Sequence, residues 1–385
     1  MRGNDVQQTE DMTTFNYTLK DAQAMPVTPI DPQQFDLARY AAYAAEADQR
    51  YAVFLSKPDG VAVWQRMRAG EVFRDACRDR RESLRLQLGG LAKSLDYLSD
   101  APNYLEPWYG IGTTASAFGG EYDWFEGQAP VVRPLYKTIG EVPPLVPRDF
   151  DQVPIMRYTL DTIEYFLDQT QGCVPISWSD LQAPLNVATE LIDTSAFFTG
   201  MIDEADRVKE ILSAITEVVI RFTQQQSELI SDQLARPGHG FASSRAGRGI
   251  GLSTDNLVMI SPNMYDKFCI ADNIQIGSRF GGVAIHSCGD FARWLPALKK
   301  IDNLLMVDAA FSPQTDPDPN TPEAFRDAFV NTGVIVHARM VGDPPEVLTL
   351  TKRLWTPGLK LIVVTYVPDP IAQQQLYHDL HTLCR

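Results

Sequence analysis

The chain lacks the cysteines for a disulfide framework, an apolar run long enough to cross a bilayer, and any excess of basic charge. Its five cysteines, Cys77, Cys173, Cys269, Cys288 and Cys384, are odd in number and scattered over 385 residues, which points to a reducing compartment. No apolar run approaches the roughly 20 residues of a membrane span. The opening MRGNDVQQTEDMTTF has no apolar segment of the kind that directs secretion, so a cytoplasmic protein without membrane contact is expected. Lys plus Arg number 34 against 49 Asp plus Glu, a formal charge of −15. Such a field repels phosphate backbones, which removes nucleic acid from the expected partners. A dinucleotide fingerprint is also missing, since Arg245-Ala246-Gly247-Arg248-Gly249 departs from Gly-x-Gly-x-x-Gly. No internal repeat is present.

What the chain does contain is a globular share of hydrophobic residues, 44%, arranged in recognisable segments. Residues 1–30 are polar and then Pro-containing, and read as a loose arm. Pro32 to Leu98 follows a helical pattern, a lead-in to the main domain. Tyr104–Gly112 and Pro130–Tyr136 read as short strands bounded by Pro and Gly. Helices are predicted around Leu160–Gln169 and Glu204–Leu229, with a strand at Cys173–Trp178 between them, and Pro262 suits the first turn of a further helix. In the last hundred residues, apolar runs at Gly282–Ile285, Leu304–Val307, Val334–Val336 and Leu361–Val364 recur about every 22 to 30 residues, with helix-compatible segments between. Apolar strands alternating with helices indicate a parallel sheet covered on both faces. With the weaker units upstream roughly eight strands can be placed, so the expected fold is an α/β (β/α)8 TIM barrel over 101–385, behind an N-terminal helical extension over 1–100.

In such barrels chemistry sits at the carboxyl ends of the strands. His286 and Cys288 end one run, Asp308 the next, His337 and Arg339 the next, and Thr365 and Tyr366 the last. Two residues apart on a strand, His286 and Cys288 share a face and offer imidazole nitrogen and thiolate sulfur, the donors zinc takes. The competing reading is a hydrogen-bonded strand-end histidine beside a small buried thiol. Asp308 serves as an oxygen ligand, as the partner that fixes the tautomer of His286, or as a general acid or base, against an N-cap or loop carboxylate. His337 is a ligand or a satisfied barrel-interior histidine. Arg339 pairs with a substrate carboxylate or balances Asp308 or Asp343. Trp178 and Asp180 bring an aromatic wall and a carboxylate to the same mouth, or are a core tryptophan beside a surface aspartate. His239, Arg245 and Arg248 lie in a Gly-rich stretch that forms a substrate-contacting loop over the mouth, or are solvated loop charges.

The stretch from Gly238 through Ser253-Thr254-Asp255, Ile260-Ser261-Pro262 and Gly282 to His286-Ser287-Cys288-Gly289 resembles the uroporphyrinogen decarboxylase superfamily. Asp180-Leu181-Gln182-Ala183-Pro184-Leu185 is similar to the segment that family places after an early barrel strand, and the likeness covers about residues 155–380. It implies a barrel with one of two activities. One branch decarboxylates a tetrapyrrole without a cofactor. The other holds zinc-dependent methyltransferases, which activate a thiol and exchange methyl groups with a corrinoid protein. The Arg-Gln-x-Gly-Arg type motif of the decarboxylases has no counterpart here. Nor does the cysteine that the methyltransferases carry near the end of the last strand, where this chain has Val364-Thr365-Tyr366-Val367.

The expected function is therefore a zinc-dependent methyltransferase-like enzyme, with zinc on His286, Cys288 and Asp308, and Tyr366 beside the open position. In the decarboxylase alternative no cofactor is needed. Asp255 or Asp308 then stabilises a protonated ring, and Arg245, Arg248 or Arg339 anchors carboxylates. A non-catalytic tetrapyrrole- or corrinoid-binding barrel is the third reading. The partners implied are a small-molecule substrate and a corrinoid protein. A homodimer is compatible with the sequence, which does not fix the oligomeric state.

Overall fold

The computed structural model describes residues 23–385, so most of the arm expected over residues 1–30 lies outside the described residues. Among the described residues there are eight strands: β1 (Gly60–Gln65), β2 (Tyr122–Asp123), β3 (Val131–Val132), β4 (Ile250–Ser253), β5 (Val283–His286), β6 (Leu304–Ala310), β7 (Ile335–Arg339) and β8 (Lys360–Thr365). Strands β2 and β3 form a small antiparallel pair. The other six make one parallel sheet in the order β1-β8-β7-β6-β5-β4.

The arc from β4 back to β1 is closed by isolated parallel bridges, Leu105 to Ile176, Ile176 to Leu234 and Gln182 to Ser253. Asp100 adds a backbone hydrogen bond to Val63. The strands expected at Tyr104–Gly112 and Cys173–Trp178 thus shrink to single bridges. Pro102, Pro107 and Pro175 flank those bridges and cannot donate to a ladder. The architecture is α/β and TIM-barrel-like, with an N-terminal helix at Leu37–Ser56.

One boundary differs from the expectation. β1 lies inside the segment read as a helical lead-in, yet it pairs with β8 over its whole length, so the barrel begins at Gly60 and not at residue 101. A six-residue run such as Gly-Val-Ala-Val-Trp-Gln is too short for its periodicity to separate strand from helix.

Helices pack on the outside of the sheet. Several open on proline, at Pro154, Pro184, Pro262, Pro322, Pro344 and Pro370, where the missing N–H has no helical partner to lose. The long helix Ala205–Ile230 and the helix Pro154–Gln169 bury their apolar stripes in the main core, which also takes Val61, Val63, Leu361 and Val363. The alternate residues of the same strands, Ala62, Trp64, Ala284, Met306, Ile335, Ile362 and Val364, fill the barrel interior. Period-two alternation carries this inward set on to His286, Asp308, His337, Arg339 and Tyr366 at the carboxyl ends, and back to Lys360 at the amino end of β8. Among the described residues no helix is long and apolar enough to cross a membrane.

Candidate functional site

Asp308 is the hub of the mouth. It is 2% exposed, and its Oδ2 faces His286 Nδ1 at 2.5 Å and Arg339 Nε at 3.0 Å. Its Oδ1 faces His337 Nδ1 at 2.5 Å. A carboxylate only accepts, so both rings carry their proton on Nδ1. His337 accepts the Ala242 N–H on Nε2 at 2.9 Å, and burial lowers its pKa, so it stands as a neutral ring. Burial opposes charge on Asp308, but the Arg339 guanidinium, followed by the two imidazoles, holds its carboxyl well below the usual range. Arg339, itself raised against burial by the charge of Asp308, keeps its Nη2 buried and without a hydrogen-bond partner among the described residues.

On the far side of His286 stands a donor triad. The ligand atoms of Asp255, His286 and Cys288 lie within 4.8 Å of one another. His286 Nε2 is 3.6 Å from Cys288 Sγ and 3.4 Å from Asp255 Oδ1, and the same Asp255 oxygen accepts the Cys288 N–H at 2.8 Å. Cys288 is exposed. Burial works against a charged His286 ring, but Asp255 in front and Asp308 behind raise its pKa well above the ordinary value. Asp255 is correspondingly lowered, burial being outweighed by His286 and by the N–H of Cys288.

A second cluster lines the same mouth. His239 Nδ1 hydrogen-bonds Glu106, and its Nε2 lies 3.6 Å from Asp180 Oδ2. Asp180 also accepts the Trp108 indole N–H at 3.1 Å and the Gln182 amide at 2.8 Å. The polar chain continues from Asn186 to Gln182 at 2.9 Å and from the Asn256 N–H to Asn186 at 3.1 Å, which ends one residue from Asp255. Burial raises the pKa of Asp180, and the charges of Glu106 and Asp255 add to the rise against the opposing effect of His239. Arg66 and Tyr104 border a cavity of about 40 Å³ beside Glu106.

The expected site residues divide accordingly. His286, Cys288 and Asp255 come together, with Asp308, Arg339 and His337 directly behind. Tyr366 is buried, its hydroxyl donating to Gln23 at 3.3 Å. It lies near Arg339 and adds to the rise of the guanidinium's pKa. Asp180 and His239 meet in the second cluster.

Three expectations are corrected. Asp308 is not the third donor of the metal set, because it is engaged on the Nδ1 side of His286, and Asp255 takes that corner. Trp178 is no substrate wall. It is fully buried, donates to the Pro237 carbonyl at 2.9 Å, and lies so close to Gly238 that a Cβ there would fall 2.3 Å from its indole nitrogen. Arg245 does not reach the mouth, since its Nε and Nη1 are bound to Asp48 at 2.6 Å and to Gln233 at 2.9 Å.

Glu106, Trp108 and Arg66 were not singled out from the sequence. The signal available was the Pro-bounded aromatic segment Tyr104–Gly112, in which Glu106 is the acidic residue.

The uroporphyrinogen decarboxylase (URO-D) family model matches residues 63–235. Among solved structures, a methyltransferase from Methanosarcina mazei aligns over 88% of this chain and 98% of its own, with a TM-score of 0.63 and 16% identity, a likeness of fold. The family match, over less than half of the chain, is a likeness to the uroporphyrinogen decarboxylase superfamily. No curated protein matches the chain. Within the superfamily match, residues 63–235 hold the Glu106, Trp108 and Asp180 half of the mouth, while Asp255, His286 and Cys288 lie beyond it. The resemblance carried by the sequence motifs spans about 155–380, so only its first part coincides with the matched residues.

One buried carboxyl near the mouth gives a testable pH dependence. Glu190, in the helix Pro184–Leu191, has both carboxyl oxygens buried without a hydrogen-bond partner among the described residues. Burial and then the charge of Asp180 push its pKa up to about 8. Its folded pKa lies above the unfolded value, so the native state keeps a proton that the unfolded chain has lost, and stability falls as pH rises from about 4.5 through about 8. Glu190→Gln should therefore melt close to wild type near pH ~5 and clearly higher near pH ~9. Thermal melts across that range test it, and parallel curves would remove the assignment.

Proposed function

We propose that this protein is a zinc-dependent methyltransferase-like enzyme acting on a thiol or on a corrinoid-linked methyl group. The observation that carries the reading is the set of oxygen, nitrogen and sulfur donors on Asp255, His286 and Cys288, with the ring nitrogen opposite the donor side already bound to Asp308. Borderline metals such as zinc suit that mixture, and catalytic zinc takes three protein ligands and leaves a position open. When bound there, zinc would supply a positive charge that stabilises a substrate thiolate.

The chain's own residues do the rest. Asp308 keeps the proton of His286 on Nδ1 and turns Nε2 toward Cys288. His337, neutral and braced by Ala242, holds Asp308 in place. Arg339 spends Nε on Asp308 and has Nη2 free for an anionic group of the substrate. A corrinoid protein is the partner this reading calls for. Five free cysteines fit a reducing, cytoplasmic setting.

Metal analysis of protein purified without a His tag should find zinc near one per chain, and methyl transfer from a methylcorrinoid to a thiol should depend on it. Absence of zinc together with carbon dioxide release from uroporphyrinogen would replace this reading by the decarboxylase one. Arg339→Lys should raise KM about tenfold for a carboxylate-bearing thiol, through loss of the planar fork, and leave KM for an uncharged thiol nearly unchanged. Equal effects on both would deny Arg339 its contact with substrate.

A further inference from the structure

The amino end of the barrel carries a group that the mouth does not use. Lys360 opens β8 and shares inward parity with Ile362 and Val364, and it is only 8% exposed. Its Nζ donates to the Leu55 carbonyl at 2.6 Å and lies 5.3 Å from the centre of the Phe54 ring, which leaves ammonium hydrogens unused. Arg248 stands beside it. Among the described residues neither Arg248 nor Lys360 forms an ion pair, and the Arg248 side chain has no hydrogen bond. Both line a cavity of about 450 Å³, whose walls include Leu55, Leu305, Met306 and Ile335 and no aspartate or glutamate.

In a chain of net charge −15, a hollow with two cations and no carboxylate is an exception that its composition does not predict. A buried ammonium without a counter-charge is costly. Burial and the neighbouring Arg248 lower the pKa of Lys360, with no acid opposing them.

We infer that this hollow is a second binding site, for a small organic carboxylate with an apolar stem. The carboxylate pairs with the Arg248 guanidinium and the free donors of Lys360, and the stem lies against Leu305, Met306 and Ile335. Two charge-assisted contacts and an apolar wall match that class better than a bare inorganic anion, which leaves the wall unused. The site is distinct from the mouth. The length of β8 separates Lys360 from Thr365, roughly 17 Å at the rise of a parallel strand, so a ligand here acts on the barrel without touching Cys288 or Arg339.

Octanoate is the probe, tested on the full chain by calorimetry and thermal shift, with octanol and inorganic phosphate as comparisons. Octanoate should bind and raise Tm, while octanol and phosphate each bind at least tenfold more weakly. Arg248→Gln, at an exposed position that needs no repacking, should weaken octanoate about tenfold, the loss of one charge-assisted hydrogen bond. Cys288→Ser should leave octanoate affinity unchanged, which separates this site from the mouth. The inference is overturned if octanoate does not bind, if octanol or phosphate matches it, if Arg248→Gln has no effect, or if Cys288→Ser abolishes binding.

Discussion

Asp308→Asn is expected to destabilise the protein by about 3–5 kcal/mol, the cost of removing one partner from a buried ion pair. The amide can accept from one side only. Its NH2 must then meet an N–H of His286, His337 or Arg339, groups that all donate toward Asp308 in the native fold. The Arg339 guanidinium, 6% exposed, is also left without its counter-charge. Chemical denaturation near neutral pH should show the full loss.

The difference from wild type should narrow in acid. The folded pKa of Asp308 is depressed, so its contribution is present above the unfolded value, about 3.9, and is lost as pH falls through the folded one. Zinc affinity should fall about 10–100-fold as well, the usual effect of losing the partner behind a ligating histidine. A variant as stable as wild type at neutral pH would show that Asp308 does not hold the mouth together.

Cys288→Ser should have the larger effect on the metal and almost none on the fold. Cys288 is exposed, and its backbone N–H bond to Asp255 survives the substitution, so stability should change by about 0.5 kcal/mol or less. Replacing a thiolate by a hydroxyl takes away the soft donor, and zinc affinity should drop roughly a hundredfold or more. Competition with a chromogenic chelator measures it directly. Retained zinc affinity in both Cys288→Ser and Asp255→Asn would remove the triad from the reading.

The part of this site visible in the sequence was the part set by strand parity. His286, Asp308, His337 and Arg339 end consecutive strands on inward positions, and apolar runs of three or more residues marked those strands. What parity does not show is the direction in which each inward group is used. Asp308 and Asp255 are both carboxylates near His286, and only the register of β5 against β6, which sets His286 opposite Asp308, puts one behind the ring and leaves the other in front.

The Gly-rich segment was less legible for a related reason. Its arginines and histidine follow one another within ten residues, but a loop without periodicity has no face to assign. His239 turns to the mouth, Arg245 to Asp48, and Arg248 to the opposite end of the barrel. β1 went unread because its few residues sit between two helices of ordinary pattern. The Glu106 segment was misjudged in extent, since flanking prolines leave it one bridge long.

The row of amides from Gln182 through Asn186 to Asn256 has a kinetic corollary. Each side chain grips the next, so whatever settles against Asp180 and His239 tugs the turn that presents Asp255. Two reactants meeting in this barrel would consequently sense each other before they touch, and the first tenant would tune the welcome given to the second. Because such coupling is reciprocal, initial-rate plots should show each reactant changing the apparent affinity for the other by the same factor, whichever arrives first.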